Sequence, residues 1–145
     1  MSEELITAYD IRGTEATGLT VECAWNVGKA LADWLPTMGN VVVAYHPDQH
    51  PIAHAIVEGL RLQGRGVVDA GHGGKEAVKS YITTAGMSGG VAVDFDDLEK
   101  VIVIELYRED AKLVTAEDGL HDIHELVVAG NFVPAVTKGE LTQLA

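Results

Sequence analysis

Short apolar runs alternate with amphipathic segments along the chain, and this alternation is the main guide to its fold. Four of the runs are bounded by glycine, proline or polar residues and are typical of buried strands. They are residues 40–45 (NVVVAY), 66–71 (GVVDAG), 89–95 (GGVAVDF) and 101–107 (VIVIELY). The segment AYDIRG (8–13) is typical of a strand end or a turn.

The first amphipathic segment, LTVECAWNVGKALADWL, predicts a helix. Thr20 is a good N-cap, Glu22 suits the first helical turn, and Pro36 and Gly39 end the helix. We expect its apolar residues at helical spacing to be buried. These are Val21, Ala24, Trp25, Leu31, Ala32 and Leu35.

Three further helices are predicted, at residues 51–64, 75–86 and 117–130. Pro51 fits the first turn of the earliest of these, and Gly130 lies near the C-cap of the last. Alternating helices and buried strands imply parallel strands covered by helices on both faces. Only five residues, 96–100, separate the last two strands, so these strands should pair antiparallel. The expected fold is a single α/β domain over 1–145, a three-layer α/β/α arrangement whose mostly parallel mixed sheet has an antiparallel edge strand.

Composition narrows the class of protein. The chain has 145 residues, 47% of them apolar and 22% charged, as expected for one globular domain. A net charge of −12 argues against binding nucleic acid, and no apolar run approaches the ~20 residues of a membrane span. The single cysteine, Cys23, and an acidic N-terminus without signal-peptide features predict a cytoplasmic protein.

The histidines raise the question of a transition-metal site. His46, His50 and His54 are spaced four residues apart, but the predicted helix begins only after His50. The sequence also lacks the glutamate of an H-E-x-x-H motif. A metal site here is therefore the less favoured alternative. His121 and His124 are expected on the surface of the last helix.

The sequence offers no convincing nucleophile or phosphate loop. GHGG (71–74) lies between a strand and a helix but matches neither standard phosphate-binding pattern, so a tight turn is favoured over an anion site. Cys23 has no histidine nearby in the sequence, and Ser80 and Ser88 lie in no G-x-S-x-G motif.

Four acidic residues, Asp94, Asp96, Asp97 and Glu99, follow the apolar run GVAV in the strand that starts at residue 89. A solvated turn is the favoured interpretation, because water relieves the repulsion between the carboxylates. The alternative is a magnesium or calcium site formed mainly by Asp94, Asp96 and Asp97. With a nearby histidine, such a site would make the chain a metal-dependent phosphatase or hydrolase.

Several of these pieces occur in an order that resembles a known family. The pieces, in order, are AYDIRG, LT opening a helix, NVGKALADWL, a VVVA strand, AIVEGLRLQGRGVVDAG and the tail AGNFVPAVTKGELTQL. Together they are similar to the first domain of the α-D-phosphohexomutases. These enzymes are the phosphomannomutases and phosphoglucomutases. The resemblance extends from about residue 8 to 144, and the ordered set is more specific than any single piece.

The resemblance implies a carbohydrate-metabolism enzyme with four domains. The family moves a phosphoryl group between positions 1 and 6 of a hexose phosphate, using a phosphoserine in a T-A-S-H-N-P loop and magnesium aspartates on the second domain. In this sequence the corresponding strand continues into the shorter DFDDLEK, which has no serine. The resemblance leaves Tyr9, Arg12 and Lys100 as candidate substrate- or phosphate-binding residues.

The chain is therefore expected to be a stand-alone, degenerate first domain, a pseudoenzyme without mutase activity of its own. A binding, regulatory or assembly role is expected, with hexose phosphate, a second copy of the chain or separately encoded mutase-like domains as partners. No cofactor is expected, and magnesium is the alternative. A further alternative is a small sugar-phosphate or anion sensor that uses Arg12 and the GHGG amides.

Overall fold

The computed structural model describes residues 1–144 and contains one six-stranded sheet. The strands are β1 (Ile11–Gly13), β2 (Val41–Tyr45), β3 (Val67–His72), β4 (Gly89–Asp96), β5 (Val101–Arg108) and β6 (Leu141–Gln143). The α-helices are α1 (Val21–Trp34), α2 (His50–Leu62), α3 (Lys75–Ala85) and α4 (His121–Ala129). In this part of the chain no helix is long and apolar enough to cross a membrane.

The strand order is β1-β5-β4-β2-β3-β6. The β2–β3, β2–β4 and β3–β6 pairs are parallel, whereas β5 runs antiparallel to both β4 and β1. The predicted mostly parallel α/β sheet is thus confirmed. The antiparallel strand is not at the edge itself, because the short strand β1 pairs with its outer side.

Helices cover the two faces unequally. One core lies between the sheet and α1, α2 and α4, and it contains most of the fully buried side chains. The smaller core lies under α3, where Val78 and Ile82 pack against Val42, Ala92 and Tyr107 of the sheet. The three-layer arrangement follows from strands that are apolar on both sides, as the continuous burial of β2 shows.

Helix α1 begins as predicted, since the Thr20 hydroxyl accepts a hydrogen bond from the Cys23 backbone amide. Its predicted buried face is wrong at two positions: Val21 is 54% exposed and Trp25 36% exposed. The inward face is centred on Ala24, Val27 and Leu31, all fully buried. The indole of Trp25 lies outside and is covered in part by the Lys29 ammonium group, 3.7 Å from the ring centroid.

Other element boundaries also differ from the sequence prediction. Helix α2 begins at His50, one residue before Pro51. Helix α4 begins only at His121, because Gly119 has a φ of 146° that breaks the preceding turn. Gly130 ends α4 in the left-handed conformation, as expected of a C-cap glycine.

Candidate functional site

The candidate residues near the N-terminus and after β4 lie at one edge of the sheet. Arg12 on β1 and Asp94 on β4 both pair with Val103 of the intervening strand β5. Side chains of directly paired residues share a face, so Arg12 and Asp94 flank Val103 on the same face as α3. Strand β4 ends two residues later, at Asp96.

Arg12 is held by three carboxylates. Its Nε and Nη2 atoms donate to Asp10 at 3.2 and 3.0 Å, and Nη1 donates to Asp96 at 3.4 Å and to Glu99 at 3.3 Å. Hydrogen bonding to Asp10 raises the pKa of the Arg12 guanidinium above its already high value. In the structure Arg12 therefore forms ion pairs with carboxylates, and a phosphate would have to compete with them for the guanidinium.

The acidic stretch after β4 forms a tight turn that joins it to β5. One carboxylate oxygen of Asp96 accepts hydrogen bonds from the backbone amides of Leu98 and Glu99, at 2.9 and 3.1 Å. Mainly through the Glu99 amide, these bonds hold the pKa of Asp96 below its usual value. Lys100 closes the turn with a φ of 59° and donates its backbone amide to the Asp96 carbonyl at 2.7 Å.

A metal-binding set of carboxylates is not assembled at this turn. Across residues 1–144 no group of three or more histidine, cysteine, aspartate or glutamate side chains is arranged to hold a metal ion. The alternative magnesium or calcium site at Asp94, Asp96 and Asp97 stays a prediction that no assembled ligand set of the described residues supports. The carboxylate of Asp96 is instead engaged by Arg12 and by the turn's own amides.

The other two candidate phosphate-binding residues, Tyr9 and Lys100, lie at the same edge of the sheet. No hydrogen bond among the described residues joins them. Tyr9 is 63% exposed and immediately precedes Asp10, the main partner of Arg12. The side chain of Lys100 is exposed at the end of the acidic turn. Tyr9, Arg12 and Lys100 stay predicted ligand-binding residues, with only Arg12 fixed by contacts to the turn.

The GHGG segment is a tight connection between β3 and α3. Gly71 has a φ of 73°, and its amide donates to the Asp69 carboxylate at 2.8 Å. Gly73 donates its amide to the Tyr45 carbonyl at 3.2 Å, and Gly74 precedes the first residue of α3. At least two amides of the segment are thus already bonded to the protein.

Of the three serine and cysteine residues considered as nucleophiles, Cys23 and Ser88 are buried, whereas Ser80 is exposed on α3. Burial raises the pKa of the Cys23 thiol, which makes the reactive thiolate rarer. The Ser88 side chain is 5% exposed, and its oxygen lies 3.0 Å from the Thr37 hydroxyl. His121 is exposed as predicted, but His124 is half-buried, with Nε2 2.9 Å from the Met1 carbonyl oxygen.

Sequence analysis missed a group of residues at the neighbouring ends of β2 and β3. The Tyr45 ring lies 5.5 Å from that of His50 and 5.7 Å from that of His72, both in edge contact. The rings of His50 and His54 are stacked, with centroids 5.9 Å apart. The sequence signal was present in the four-residue histidine spacing, but it depended on where α2 begins.

Glu105 on β5 supplies a test of the electrostatics on this face of the sheet. Burial raises the pKa of Glu105, partly opposed by the positive charge of Lys75. The folded state therefore binds the proton of Glu105 more tightly than the unfolded state does. As a result, the contribution of Glu105 to the free energy of unfolding falls as pH rises through the raised pKa. We expect Glu105→Gln to raise the urea midpoint at pH 7 and to match the wild type below pH ~4, where an ordinary glutamate is protonated.

The matched control for this substitution is Glu117→Gln, because Glu117 is exposed. Urea unfolding followed by circular dichroism at pH 7 and pH 3.5 measures both variants. A midpoint for Glu105→Gln that is unchanged at pH 7, or raised equally at both pH values, would contradict the burial effect.

Similarity to known proteins extends over nearly the whole chain. No protein-family model matches it. The phosphomannomutase of Salmonella typhimurium is 28% identical over 148 residues, covering 95% of this chain and 31% of that protein. A phosphomannomutase sequence from Klebsiella pneumoniae is 29% identical over 143 residues, covering 95% of this chain and 90% of that sequence. A phosphoglucomutase/phosphomannomutase family protein from Burkholderia thailandensis superposes with a TM-score of 0.81 at 19% identity, over 99% of this chain and 33% of that structure.

These similarities confirm the resemblance seen in the sequence. The chain spans about a third of the length of the Salmonella relative and of the Burkholderia structure, and it matches an N-terminal fragment of such proteins. The structural match establishes the shared fold. The sequence matches show in addition that this chain is homologous to the first domain of those mutases.

Proposed function

We propose that this chain, a homologue of the first domain of the phosphomannomutases and phosphoglucomutases, does not itself transfer phosphoryl groups. Its role is binding, regulation or assembly within hexose-phosphate metabolism. The observation that carries the proposal is the short acidic connection between β4 and β5, where the family resemblance places the phosphoserine loop. Residues 97–100 (DLEK) contain no hydroxyl group that could accept a phosphoryl group.

The electrostatics of the edge support the same conclusion. Phosphoryl transfer depends on cationic groups that stabilise the developing negative charge. Here the guanidinium of Arg12, which contacts the turn, is already ion-paired with Asp10, Asp96 and Glu99. A phosphate that approached Arg12 would have to displace at least one carboxylate, and the others would repel it.

Turnover is the direct test. Purified chain is incubated with glucose 1-phosphate or mannose 1-phosphate, with and without Mg²⁺, and the sugar phosphates are followed by ³¹P NMR. The phosphomannomutase of Salmonella typhimurium serves as the positive control. We expect no 6-phosphate to form with this chain. Formation of product at a rate proportional to the concentration of this chain would overturn the proposal.

Binding is tested separately, by removing the two turn carboxylates that occupy Arg12. In Asp96→Asn/Glu99→Gln, Nη1 loses both charged partners while Asp10 still orients the guanidinium. We expect the affinity for hexose phosphate, measured by calorimetry, to rise at least tenfold, since one charge-assisted hydrogen bond contributes ~1.5–3 kcal/mol. Adding Arg12→Ala should abolish the gain.

The matched control, Asp122→Asn/Glu125→Gln, makes the same charge change on the exposed side of α4. It separates a local effect at Arg12 from the general repulsion of anions by a chain with a net charge of −12. An equal gain in the control variant, or none in Asp96→Asn/Glu99→Gln, would remove Arg12 from the predicted phosphate site. Neither result would restore a phosphoryl acceptor, so the turnover test stays independent.

A further inference from the structure

A pair of histidines on α2 faces a cleft away from the acidic turn. Because α2 begins at His50, His50 and His54 lie one helical turn apart on the same face. Their rings are nearly parallel, with centroids 5.9 Å apart and an interplanar angle of 16°. Both side chains are exposed, so their ring nitrogens are accessible to a solute.

The cleft has a volume of about 190 Å³ and is built from four elements of the fold. Its walls are formed by Tyr45, His50, His54, Val57, Asp69, Leu141 and Gln143. The edge contact with Tyr45, a buried residue of β2, restricts the ring of His50. The buried Tyr45 ring thus bounds the His50 imidazole on one side of the cleft.

Asp69 gives the cleft a negative wall. One of its carboxylate oxygens accepts the Gly71 amide at 2.8 Å, and no basic side chain within residues 1–144 forms an ion pair with it. The register between β2 and β3 shifts just after this residue, between Val43 and Ala44, as at a β-bulge. A half-buried carboxylate without a cationic partner attracts a positively charged ligand.

We propose that this cleft binds a first-row transition-metal ion such as Zn²⁺ or Cu²⁺ through the imidazoles of His50 and His54. Imidazole nitrogen is a favoured ligand of both ions, and residues four apart on a helix can reach one ion. Since the described residues contain no three-ligand set, water completes the coordination. The cleft has room for the ion and several waters at ~30 Å³ each.

The charge of Asp69 faces the ion across the cleft and offsets the repulsion that a cation meets at the N-terminal end of α2. The two protein ligands of the ion both lie on α2, and Asp69 of β3 acts through its charge. This proposal does not rest on the proposed function, because none of its residues contacts Arg12 or the acidic turn through a described hydrogen bond or ion pair.

Calorimetric titration of the full chain with ZnCl₂ and CuCl₂ at pH 7.5 tests the site. We expect one ion per chain, with Cu²⁺ bound more tightly than Zn²⁺. His50→Ala and His54→Ala should each weaken binding at least tenfold, and Asp69→Asn should weaken it less. The control His121→Ala, at an exposed histidine of α4, should leave the affinity unchanged.

Two further measurements show whether the ion is in the cleft. The electron paramagnetic resonance spectrum of bound Cu²⁺ should show coupling to two imidazole nitrogens in the wild type and to one in His54→Ala. At a hundredfold excess of Zn²⁺ over the wild-type Kd, the melting temperature should rise about 9 °C in the wild type and in His121→Ala, and at most about half as much in His54→Ala. Binding that His54→Ala leaves intact, or no binding at millimolar Zn²⁺ and Cu²⁺, would refute the site.

Discussion

Arg65→Ala is expected to lower the free energy of unfolding by about 4 kcal/mol, the larger of the two strongest effects predicted for this chain. Arg65 is only 3% exposed. Its guanidinium donates to the carbonyl of Ala32 from two nitrogens at 3.0 and 2.8 Å, and to that of Leu35 at 3.1 Å. It also donates to the carbonyls of Thr37 and Gly39, at 2.5 and 3.2 Å.

These carbonyls belong to the last turn of α1 and to the segment that follows it. The final carbonyls of a helix have no intrahelical donor and carry partial negative charge, so an arginine satisfies both needs. Burial lowers the pKa of Arg65, and no carboxylate forms an ion pair with it in the described chain. Removing the side chain leaves several carbonyls buried without a partner, each at a cost of ~1–3 kcal/mol.

Urea unfolding monitored by circular dichroism measures the loss. Arg65→Lys is the informative comparison, because lysine keeps the charge but cannot reach four carbonyls from one planar group. We expect Arg65→Lys to fall between the wild type and Arg65→Ala, while Lys79→Ala, at a more exposed position on α3, changes stability by less than ~0.5 kcal/mol. A loss below 1 kcal/mol for Arg65→Ala would show that water reaches these carbonyls.

Gly28→Ala is expected to destabilise the fold by about 3 kcal/mol. Helices α1 and α2 cross closely at two glycines. A Cβ atom added at Gly28 would collide with the backbone carbonyl oxygen of Ile56, and one at Gly59 with that of Trp25. Backbone atoms cannot turn aside as a side chain can, so the helices would have to separate and open the main core.

The sign of this effect is not obvious from the sequence. In an isolated helix alanine is more favourable than glycine by ~1 kcal/mol, so local preference alone predicts stabilisation. Ser80→Ala places alanine at an exposed position of α3 without a clash, and it should be neutral or slightly stabilising because alanine also has a higher helix propensity than serine. Chemical denaturation of both variants decides the point, and a Gly28→Ala protein more stable than the wild type would contradict the close crossing.

The long, regular features of this fold could be predicted from residue pattern alone. Short apolar runs identified β2, β3, β4 and β5, and Thr20 and Gly130 marked helix ends, because these signals depend only on neighbouring residues. Strands β1 and β6 have three residues each. Their partners lie far away in sequence, so local pattern did not predict β6 and gave only a strand end or turn at β1.

The buried face of α1 shows the same limit. Helical spacing fixes which residues share a face, but the neighbouring helix decides where the centre of that face lies. Contact between Gly28 and the α2 backbone centres the face on Ala24, Val27 and Leu31. The apolar side chains of Val21 and Trp25 consequently lie at its exposed margin, which periodicity could not distinguish.

For the candidate site, the sequence by itself determined the chemical groups available. It showed that no serine stands between β4 and β5 and that acidic residues take its place. Only the tertiary structure decided how those groups are used. Strand pairing brings Arg12 to Asp96 and Glu99, which are more than 80 residues away in the sequence. The start of α2 aligns His50 with His54. A sequence fixes which charges and ligands exist, whereas chain folding sets their distances, and Coulomb and coordination energies depend on those distances.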